Sequence, residues 1–178
     1  MKLKKFKFKK VKSTNNTAIR IVKESNYNNG MVVAEIQANG KGQYGRKWIS
    51  TKGNLFISFF NELNKKNLSI STITKINCFL VKKLLTKFTR KKIIFKKPND
   101  LLIDKKKVCG ILQEIIIFNK KKFLITGIGI NITKNPYIKN YPATNLQDVT
   151  KKSISKLSVE NKLKQLFEEN LSKLYKKK

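Results

Sequence analysis

The residues best suited to chemistry lie in two basic stretches that contain glycine. Residues 37–48 hold three glycines and three cations ahead of the single tryptophan, Trp48. Such a loop offers backbone N–H groups and positive charge to phosphate. Residues 96–117 place Lys107 close to Gly110, and a glycine inside a strand often marks the close approach of a ligand or another chain. On pattern alone, both stretches also fit surface turns with solvated lysines.

Several common chemistries are excluded. Residues 37–48 lack the GK[ST] ending of a P-loop and are not a dinucleotide-binding GxGxxG. The chain has no histidine, and Cys78 and Cys109 lack metal-ligand spacing, so zinc sites, Ser-His-Asp catalysis and Cys-His catalysis are not supported. Two free thiols suit a reducing cytosol, and we expect a cytoplasmic protein.

The net charge of +31 allows two interpretations. A nucleic-acid-binding protein would use its lysines for salt-dependent phosphate contacts. However, only three of the 41 basic residues are arginines, and the lysines are scattered along the chain. A specific binder more often has a cluster rich in arginine, so we favour compositional drift and expect only non-specific affinity for polyanions. No apolar run approaches the ~20 residues of a membrane span, so no membrane partner is expected.

Hydrophobic periodicity predicts alternating strands and helices in a single domain. Strands are predicted at residues 3–11, 31–36, 55–60, 93–95, 101–103, 108–117 and 123–130. Helices are predicted from Ser13 or Thr14 to about Glu24, over 69–88 and over 155–174, with a turn at 29–30 and a loop over 133–150. The expected apolar helix faces contain, among others, Ile70, Ile73, Phe79, Leu80, Leu84, Leu157, Leu163, Leu166, Phe167, Leu171 and Leu174.

The last predicted strand reads FLITGIGI, and its Gly127 and Gly129 keep one sheet face clear of side chains. A clear face beside basic loops is what a buried small-molecule pocket requires. The alternative is tight packing within the sheet. Asn131 follows directly at the strand exit.

Five separated segments, in order and with agreeing spacing, resemble the biotin protein ligases. Ser13-Thr14-Asn15 resembles the family's STN, and Gln37 with GKGQYGRKW resembles its Gln followed by GRGRxGRxW. KKPNDLLID resembles KWPNDL, KVCGILQE resembles K(x)xGIL(x)E, and GIGIN resembles G(I/A)GIN. The later PATNL also looks familial. The resemblance covers about residues 10–175, and it implies an α/β (α+β) fold of class II synthetase type: a mixed, largely antiparallel sheet with helices mainly on one side.

The resemblance implies a two-step reaction, in which biotin and Mg-ATP form biotinyl-5′-AMP and the acyl group then passes to a lysine of a biotin carboxyl carrier protein of acetyl-CoA carboxylase or a related carboxylase. Lys107 and Arg46 would be catalytic, stabilising the charge where carboxylate and phosphate meet. Biotin would bind to Ser13, Thr14, Asn15, Gln37, Lys41, Gly42, Gln43, Lys107, Gly110, Leu112, Gly127 and Gly129. ATP or the adenylate would bind to Gly40, Lys41, Gly45, Arg46, Trp48, Asn99, Asp100 and Asn131. Mg²⁺ would lie near Asn131 or Asp100, and the glycine-rich loop would close as a lid.

The chain departs from the family pattern in several places. Lys41 and Gln43 stand where arginines are usual, and Lys97 replaces the tryptophan of KWPND. Because Gln43 carries no charge, we expect looser retention of the adenylate. Residues 1–178 are expected to form one catalytic domain without an N-terminal helix-turn-helix or a C-terminal β-barrel. Two alternatives remain: a lipoate or octanoate ligase or transferase of the same fold, and a degenerate basic nucleic-acid-binding module.

Overall fold

A seven-stranded sheet forms the centre of the molecule, which is described here from a computed structural model covering residues 2–63, 69–139 and 141–175, with side chains to residue 170. The strands are β1 Lys4–Val11, β2 Asn29–Gln37, β3 Gly40–Lys41, β4 Lys47–Trp48, β5 Leu55–Glu62, β6 Ile93–Lys96, β7 Asp100–Ile103, β8 Lys106–Phe118 and β9 Lys121–Ile130. The helices are α1 Thr14–Glu24, α2 Ile70–Leu85, α3 Leu146–Thr150 and α4 Lys156–Tyr175.

The sheet has the order β1-β2-β5-β9-β8-β7-β6, and β3 with β4 forms a separate small hairpin. Only the β1–β2 pair is parallel; the other five pairings of the large sheet are antiparallel. The prediction of a mixed, largely antiparallel sheet is therefore confirmed. Within the described ranges, no helix is long and apolar enough to cross a membrane.

The two sheet faces carry different helices because strand side chains point alternately to opposite faces. Ile57 and Phe59 of β5 pack into the larger core beneath α2 and α4, where the rings of Phe59 and Phe167 stack with centroids 3.9 Å apart. Phe60 belongs to a smaller cluster on the opposite face, together with Ala18 of α1. The two longest helices thus share one face, as expected, while α1 occupies part of the other and leaves room for a site beside it.

Two local predictions were wrong about where the chain turns or stays irregular. Asn29 and Gly30 begin β2 instead of forming a turn, and a Cβ at Gly30 would lie 2.6 Å from the Phe60 ring. The glycine therefore permits close packing. The predicted loop over 133–150 contains α3, whose N-cap Asn145 accepts a hydrogen bond from the Asp148 N–H at 2.8 Å. A helix of five residues is too short for its apolar residues to repeat at the helical spacing, so the sequence pattern did not indicate it.

Three residues assigned to apolar helix faces are exposed instead. Ile70, Phe79 and Leu157 are 53%, 67% and 58% exposed. In α2, the buried stripe includes the polar Thr74 and Asn77, and Phe79 lies about 200° around the helix from Asn77. An apolar pattern could not reveal a buried stripe that is partly polar. The predicted contributions of Leu171 and Leu174 fall outside the described side chains.

Candidate active site

A cavity of about 570 Å³ opens on the α1 side of the sheet and brings together most of the predicted site residues. Those in its wall are Ser13, Thr14, Asn15, Gln37, Lys41, Gly42, Gln43, Arg46, Trp48, Asn99, Asp100, Lys107, Gly110, Leu112, Gly127 and Gly129. Gly40, Gly45 and Asn131 were predicted with them but lie outside the wall. Residues that the sequence did not single out complete it: Tyr44, Lys47, Pro98, Ile111, Ile128, Ile138, Lys139 and Tyr141.

One side of the cavity, which we call the polar end, consists of Ser13, Thr14, Asn15 and Gln37 of the wall, with Ser58 hydrogen-bonded behind them. Ser13 is the N-cap of α1, as predicted, and its Oγ accepts from the Asn16 N–H at 3.5 Å. Gln37 Oε1 accepts from the backbone N–H of Thr14 at 2.8 Å and from its hydroxyl at 3.0 Å. These contacts fix the first turn of α1 against the end of β2.

Asn15 is held from two sides within the polar end. Its Oδ1 accepts from the Ser58 hydroxyl at 2.6 Å, and its Nδ2 donates to Glu114 Oε2 at 2.7 Å. A Cβ at Gly127 would lie 2.2 Å from Asn15 Oδ1, so only glycine lets the amide lie flat on β9. Sequence reasoning missed Glu114 as a site residue, although it closes the GIL(x)E motif.

The glycines of β8 and β9 do keep a sheet face clear, but protein side chains already occupy much of it. A Cβ at Gly110 would lie 2.6 Å from the Trp48 ring, and one at Gly129 would lie 2.4 Å from the same ring. Gly110 and Gly129 are paired across the two strands. Gly110 and Gly129 therefore make room for Trp48, and Gly127 makes room for Asn15. The glycine face was expected to be open to a ligand, but these two side chains occupy part of it.

The other side of the cavity, which we call the cationic end, consists of Lys41, Gln43, Arg46, Trp48, Asp100, Lys107 and Tyr141. Lys107 reaches it because of a β-bulge. Leu101 pairs with Cys109 whereas Leu102 pairs with Lys107, so Val108 is an extra residue. Strict alternation would place Lys107 on the face of buried Cys109, whereas the bulge turns it toward the cavity.

Three side chains surround the Lys107 ammonium. Its Nζ lies 2.8 Å from Asp100 Oδ1, 5.1 Å from the centre of the Trp48 ring and 5.4 Å from the centre of the Tyr141 ring. The Tyr141 hydroxyl donates to Asp100 Oδ2. Burial, then this hydrogen bond and the Asp100 charge, raise the pKa of Tyr141 to about 12. Tyr141 lies in an irregular segment, and no sequence signal marked it.

The PATNL segment holds the backbone of Lys107. The Lys107 N–H donates to Pro142 O, and the Thr144 N–H donates to Lys107 O, each at 2.8 Å. Asn131 supports the same segment, since its Nδ2 donates to Thr144 O at 3.0 Å. Asn131 therefore lies outside the cavity wall and holds this segment, and its predicted contact with the adenylate stays a prediction.

The glycine-rich stretch forms a short hairpin whose cationic side chains are exposed. The Gly42 N–H donates to Arg46 O at 2.7 Å, and the Arg46 N–H donates to Gln43 O at 3.1 Å across a turn in which Gly45 has a φ of 73°. Lys41 and Arg46 are exposed.

Gln43 Oε1 and Trp48 Nε1 are buried and have no hydrogen-bond partner among the described residues. Gly40 lies beneath Trp48, whose carbonyl oxygen would be 2.6 Å from an added Cβ.

The predicted magnesium position has few free oxygens. Asp100 gives one carboxylate oxygen to Lys107 and the other to Tyr141, and Asn131 offers one buried Oδ1 without a partner among the described residues. No cluster of three or more His, Cys, Asp or Glu residues exists in the described part of the chain. The residues present therefore do not form a protein-built Mg²⁺ site.

Asn99, predicted as an adenylate contact, is largely engaged with the sheet. Its Nδ2 donates to Ile111 O at 2.6 Å, and its carbonyl accepts from the Ile111 N–H at 3.0 Å. Asn99 thereby ties the entry of β7 to β8, while still contributing to the cavity wall. The predicted contact of Asn99 with the adenylate stays a prediction.

Comparison with known proteins identifies relatives for most of the chain. The model of the biotin/lipoate A/B protein ligase family matches residues 7–131. A bifunctional ligase/repressor, BirA, of Escherichia coli K12 is 32% identical over 102 residues, which are 56% of this chain and 32% of that protein. The BirA of Bacillus subtilis 168 is 29% identical over 126 residues, 70% of this chain and 39% of that protein. The matched part is thus about a third of the length of these curated relatives.

Solved structures match almost the whole chain. A biotin protein ligase from Aquifex aeolicus, in complex with biotin and ATP, has a TM-score of 0.80 and 31% identity over 97% of this chain and 72% of its own. A biotin protein ligase from Leishmania major, in complex with biotinyl-5-AMP, has a TM-score of 0.78 at 24% identity, covering 97% of this chain and 76% of its own. The second likeness establishes the fold alone.

Proposed function

The chain belongs to the biotin/lipoate A/B protein ligase family, and we propose that it uses ATP to activate biotin as biotinyl-5′-AMP and then transfers the biotinyl group to a lysine of a carrier protein. Three relatives support this proposal: the two BirA proteins are ligases by name, and the Aquifex protein was solved in complex with biotin and ATP. The site of this chain supports it independently, through the chemistry of its two ends.

The observation that carries the proposal is one cavity with a neutral polar end and a cationic end. Asn15 lies over Gly127, whereas Trp48 lies over Gly129 and Lys107 beside Gly110. The two ends are therefore separated by two residues along the strands, about 7 Å at the usual rise. Biotin has the same polarity: a neutral ureido ring at one end, an apolar middle and a carboxylate at the other.

Biotin would enter with its ureido ring at the polar end. Hydroxyl and amide groups there supply donors and acceptors without net charge, which suits a neutral cyclic urea. Leu112 and Ile128 in the wall offer apolar contact to the middle of the molecule. The carboxylate would then point toward Lys107.

In the first step, a biotin carboxylate oxygen attacks the α-phosphorus of ATP, and the bond to pyrophosphate breaks. Negative charge from two anions accumulates at that point. The Lys107 ammonium would stabilise it, because a fixed cation at a partly buried position interacts strongly with developing charge. Arg46, exposed on the β3–β4 hairpin, would hold phosphate oxygens, with Lys41 in support.

In the second step, the carrier lysine amine attacks the acyl carbon, AMP leaves with the bonding electrons, and the amine loses a proton. We propose a biotin carboxyl carrier protein of acetyl-CoA carboxylase or a related carboxylase as acceptor. The β3–β4 hairpin would cover the mixed anhydride and exclude water between the steps.

Mg²⁺ would enter with ATP, using phosphate and water oxygens as ligands in place of a protein-built site. The organisation of residues 1–178 as one catalytic domain, non-specific binding of polyanions through the surface lysines, and a cytosolic location all stay predictions. The two cysteines support the last of these because both are free.

The direct test is biotin-dependent exchange of pyrophosphate into ATP by the purified protein, with lipoate and octanoate as parallel substrates. We expect exchange with biotin only. Because the family model also includes lipoate ligases, exchange with lipoate or octanoate instead would reassign the substrate. If no acid supports exchange and binding is only to polyanions with a steep salt dependence, the nucleic-acid interpretation would replace the ligase.

A further inference from the structure

Tyr141 contacts both partners of the ion pair at the cationic end. Its hydroxyl donates to Asp100 Oδ2, while the other oxygen of Asp100 lies 2.8 Å from Lys107 Nζ. Its ring centre is 5.4 Å from Lys107 Nζ and 4.7 Å from Lys96 Nζ. Tyr141 therefore contacts Asp100 through its hydroxyl and Lys107 through its ring.

The position of Asp100 depends on these contacts. Its side chain is only 6% exposed, and a buried carboxylate is stable only when it is paired and hydrogen-bonded. Lys107 and Tyr141 take one oxygen each. Without the phenol, Oδ2 would lose its donor, and the carboxylate would be free to rotate away from Lys107.

Tyr141 also comes from the segment that holds the Lys107 backbone. The Lys107 N–H donates to Pro142 O and the Thr144 N–H donates to Lys107 O, and Tyr141 directly precedes Pro142 in the chain. Lys107 sits directly beside a β-bulge, where the strand ladder alone does not fix the direction of the side chain. The segment therefore controls Lys107 through backbone and side chain together.

We propose that Tyr141 is a positioning residue for the adenylation step: through Asp100 and through its own ring, it fixes the Lys107 ammonium at the point where carboxylate and phosphate meet. This inference rests on the proposed function. It assigns Tyr141 no contact with the reacting atoms. Removing its hydroxyl should lower the rate of the chemical step without weakening the binding of biotin, whose ring would bind at the other end.

The test uses Tyr141→Phe, which keeps the ring and removes the hydroxyl, and Tyr137→Phe as a matched control. Tyr137 is 91% exposed and lies outside the cavity wall. In pyrophosphate exchange, we expect Tyr141→Phe to lower kcat about ten-fold, because a small displacement of a charged group is costly in the transition state. The KM for biotin should stay within about two-fold of wild type. Tyr137→Phe should match wild type.

An unchanged kcat in Tyr141→Phe would overturn the proposal, and so would a raised KM for biotin with unchanged kcat, which would make Tyr141 a binding residue. A second measurement does not depend on activity: the exchange of the Lys107 ammonium hydrogens, observed by NMR with ¹⁵N-labelled lysine and assigned through Lys107→Met. We expect protection in wild type and its loss in Tyr141→Phe. If the wild-type protein shows no pyrophosphate exchange with any acid, the proposed function fails. The NMR measurement of hydrogen exchange at Lys107 then decides alone whether Tyr141 positions this ammonium.

Discussion

The two ends of the cavity differ in how completely the protein satisfies its own polar groups. At the polar end, Ser13, Thr14, Asn15 and Ser58 are between 0 and 4% exposed and are hydrogen-bonded to one another or to neighbouring residues. At the cationic end, Lys41 and Arg46 are exposed, and two buried polar atoms, Gln43 Oε1 and Trp48 Nε1, have no partner in the described residues.

The difference follows from the elements that build each end. Helix α1 and the central strands form the polar end, so its geometry is fixed by the core of the sheet. A hairpin, a bulge and an irregular segment form the cationic end. We infer that the first end selects a ligand without moving, because preorganised groups lose little entropy on binding. Under the proposed function, the second end would complete its contacts when ATP binds.

The largest expected effect is that of Lys107→Ala. Removing the ammonium should lower kcat for biotin-dependent pyrophosphate exchange about 10²–10³-fold, in line with the loss of one group that stabilises transition-state charge. Lys106→Ala is the matched control, because Lys106 is the exposed neighbour in the same strand. Equal loss of activity in both variants would show that charge density, and not the position of Lys107, determines the rate.

Two alanine substitutions on β9 separate the ends. In Gly127→Ala, the new Cβ would meet Asn15 Oδ1 at 2.2 Å, so we expect the KM for biotin to rise about ten-fold or more, together with a loss of roughly 1–3 kcal/mol of stability from overpacking. In Gly129→Ala, the new Cβ would meet Trp48, and kcat should fall more than KM rises. Kinetics and thermal unfolding of both variants measure this; the same kinetic change in both would contradict the separation.

Glu114→Gln tests whether the polar end depends on the orientation of Asn15. Glutamine keeps the size of the side chain but offers Asn15 a neutral acceptor and a competing amide donor. Loss of a hydrogen bond to a charged group is typically worth about 1.5–3 kcal/mol when a partner is left unsatisfied. Because glutamine can still accept, we expect the KM for biotin to rise only several-fold, with kcat unchanged. A fall in kcat alone would place Glu114 with the cationic end.

Gln43→Arg has the smallest expected effect and acts on the cationic end alone. An arginine in the wall would add charge and a fork of donors close to the phosphate of the adenylate. We expect release of biotinyl-5′-AMP to slow a few-fold, measured as the intermediate's off-rate in a chase experiment, while the KM for biotin is unchanged. An unchanged off-rate would argue against contact between residue 43 and the adenylate.

The sequence predicted the sheet and most of the cavity wall, but it missed residues that act through contacts with distant parts of the chain, for physical reasons. Short continuous apolar runs bounded by turn residues, such as β5, indicate buried strands, and a cap such as Ser13 is a local signal. Tyr141 and Glu114 act through tertiary contacts with Asp100 and Asn15, more than 40 and 90 residues away in the chain. No local pattern encodes such contacts.

The same limit explains why the interpretation of the glycines was incomplete. Gly127 and Gly129 indicated a cleared face, which the structure has, but the sequence could not tell which groups would fill it. Asn15 and Trp48 do so. Likewise, the bulge at Val108 that turns Lys107 toward the cavity is visible only in the pairing of β7 with β8.

The most direct test of the central claim is calorimetric titration of biotin into the ligand-free protein without ATP, for wild type, Glu114→Gln and Lys107→Ala. If the polar end recognises the ureido ring, wild type and Lys107→Ala should bind biotin with similar affinity, Glu114→Gln should bind it several-fold more weakly, and lipoate should bind poorly to all three. Binding of lipoate in preference to biotin, or loss of biotin binding in Lys107→Ala but not in Glu114→Gln, would contradict the account.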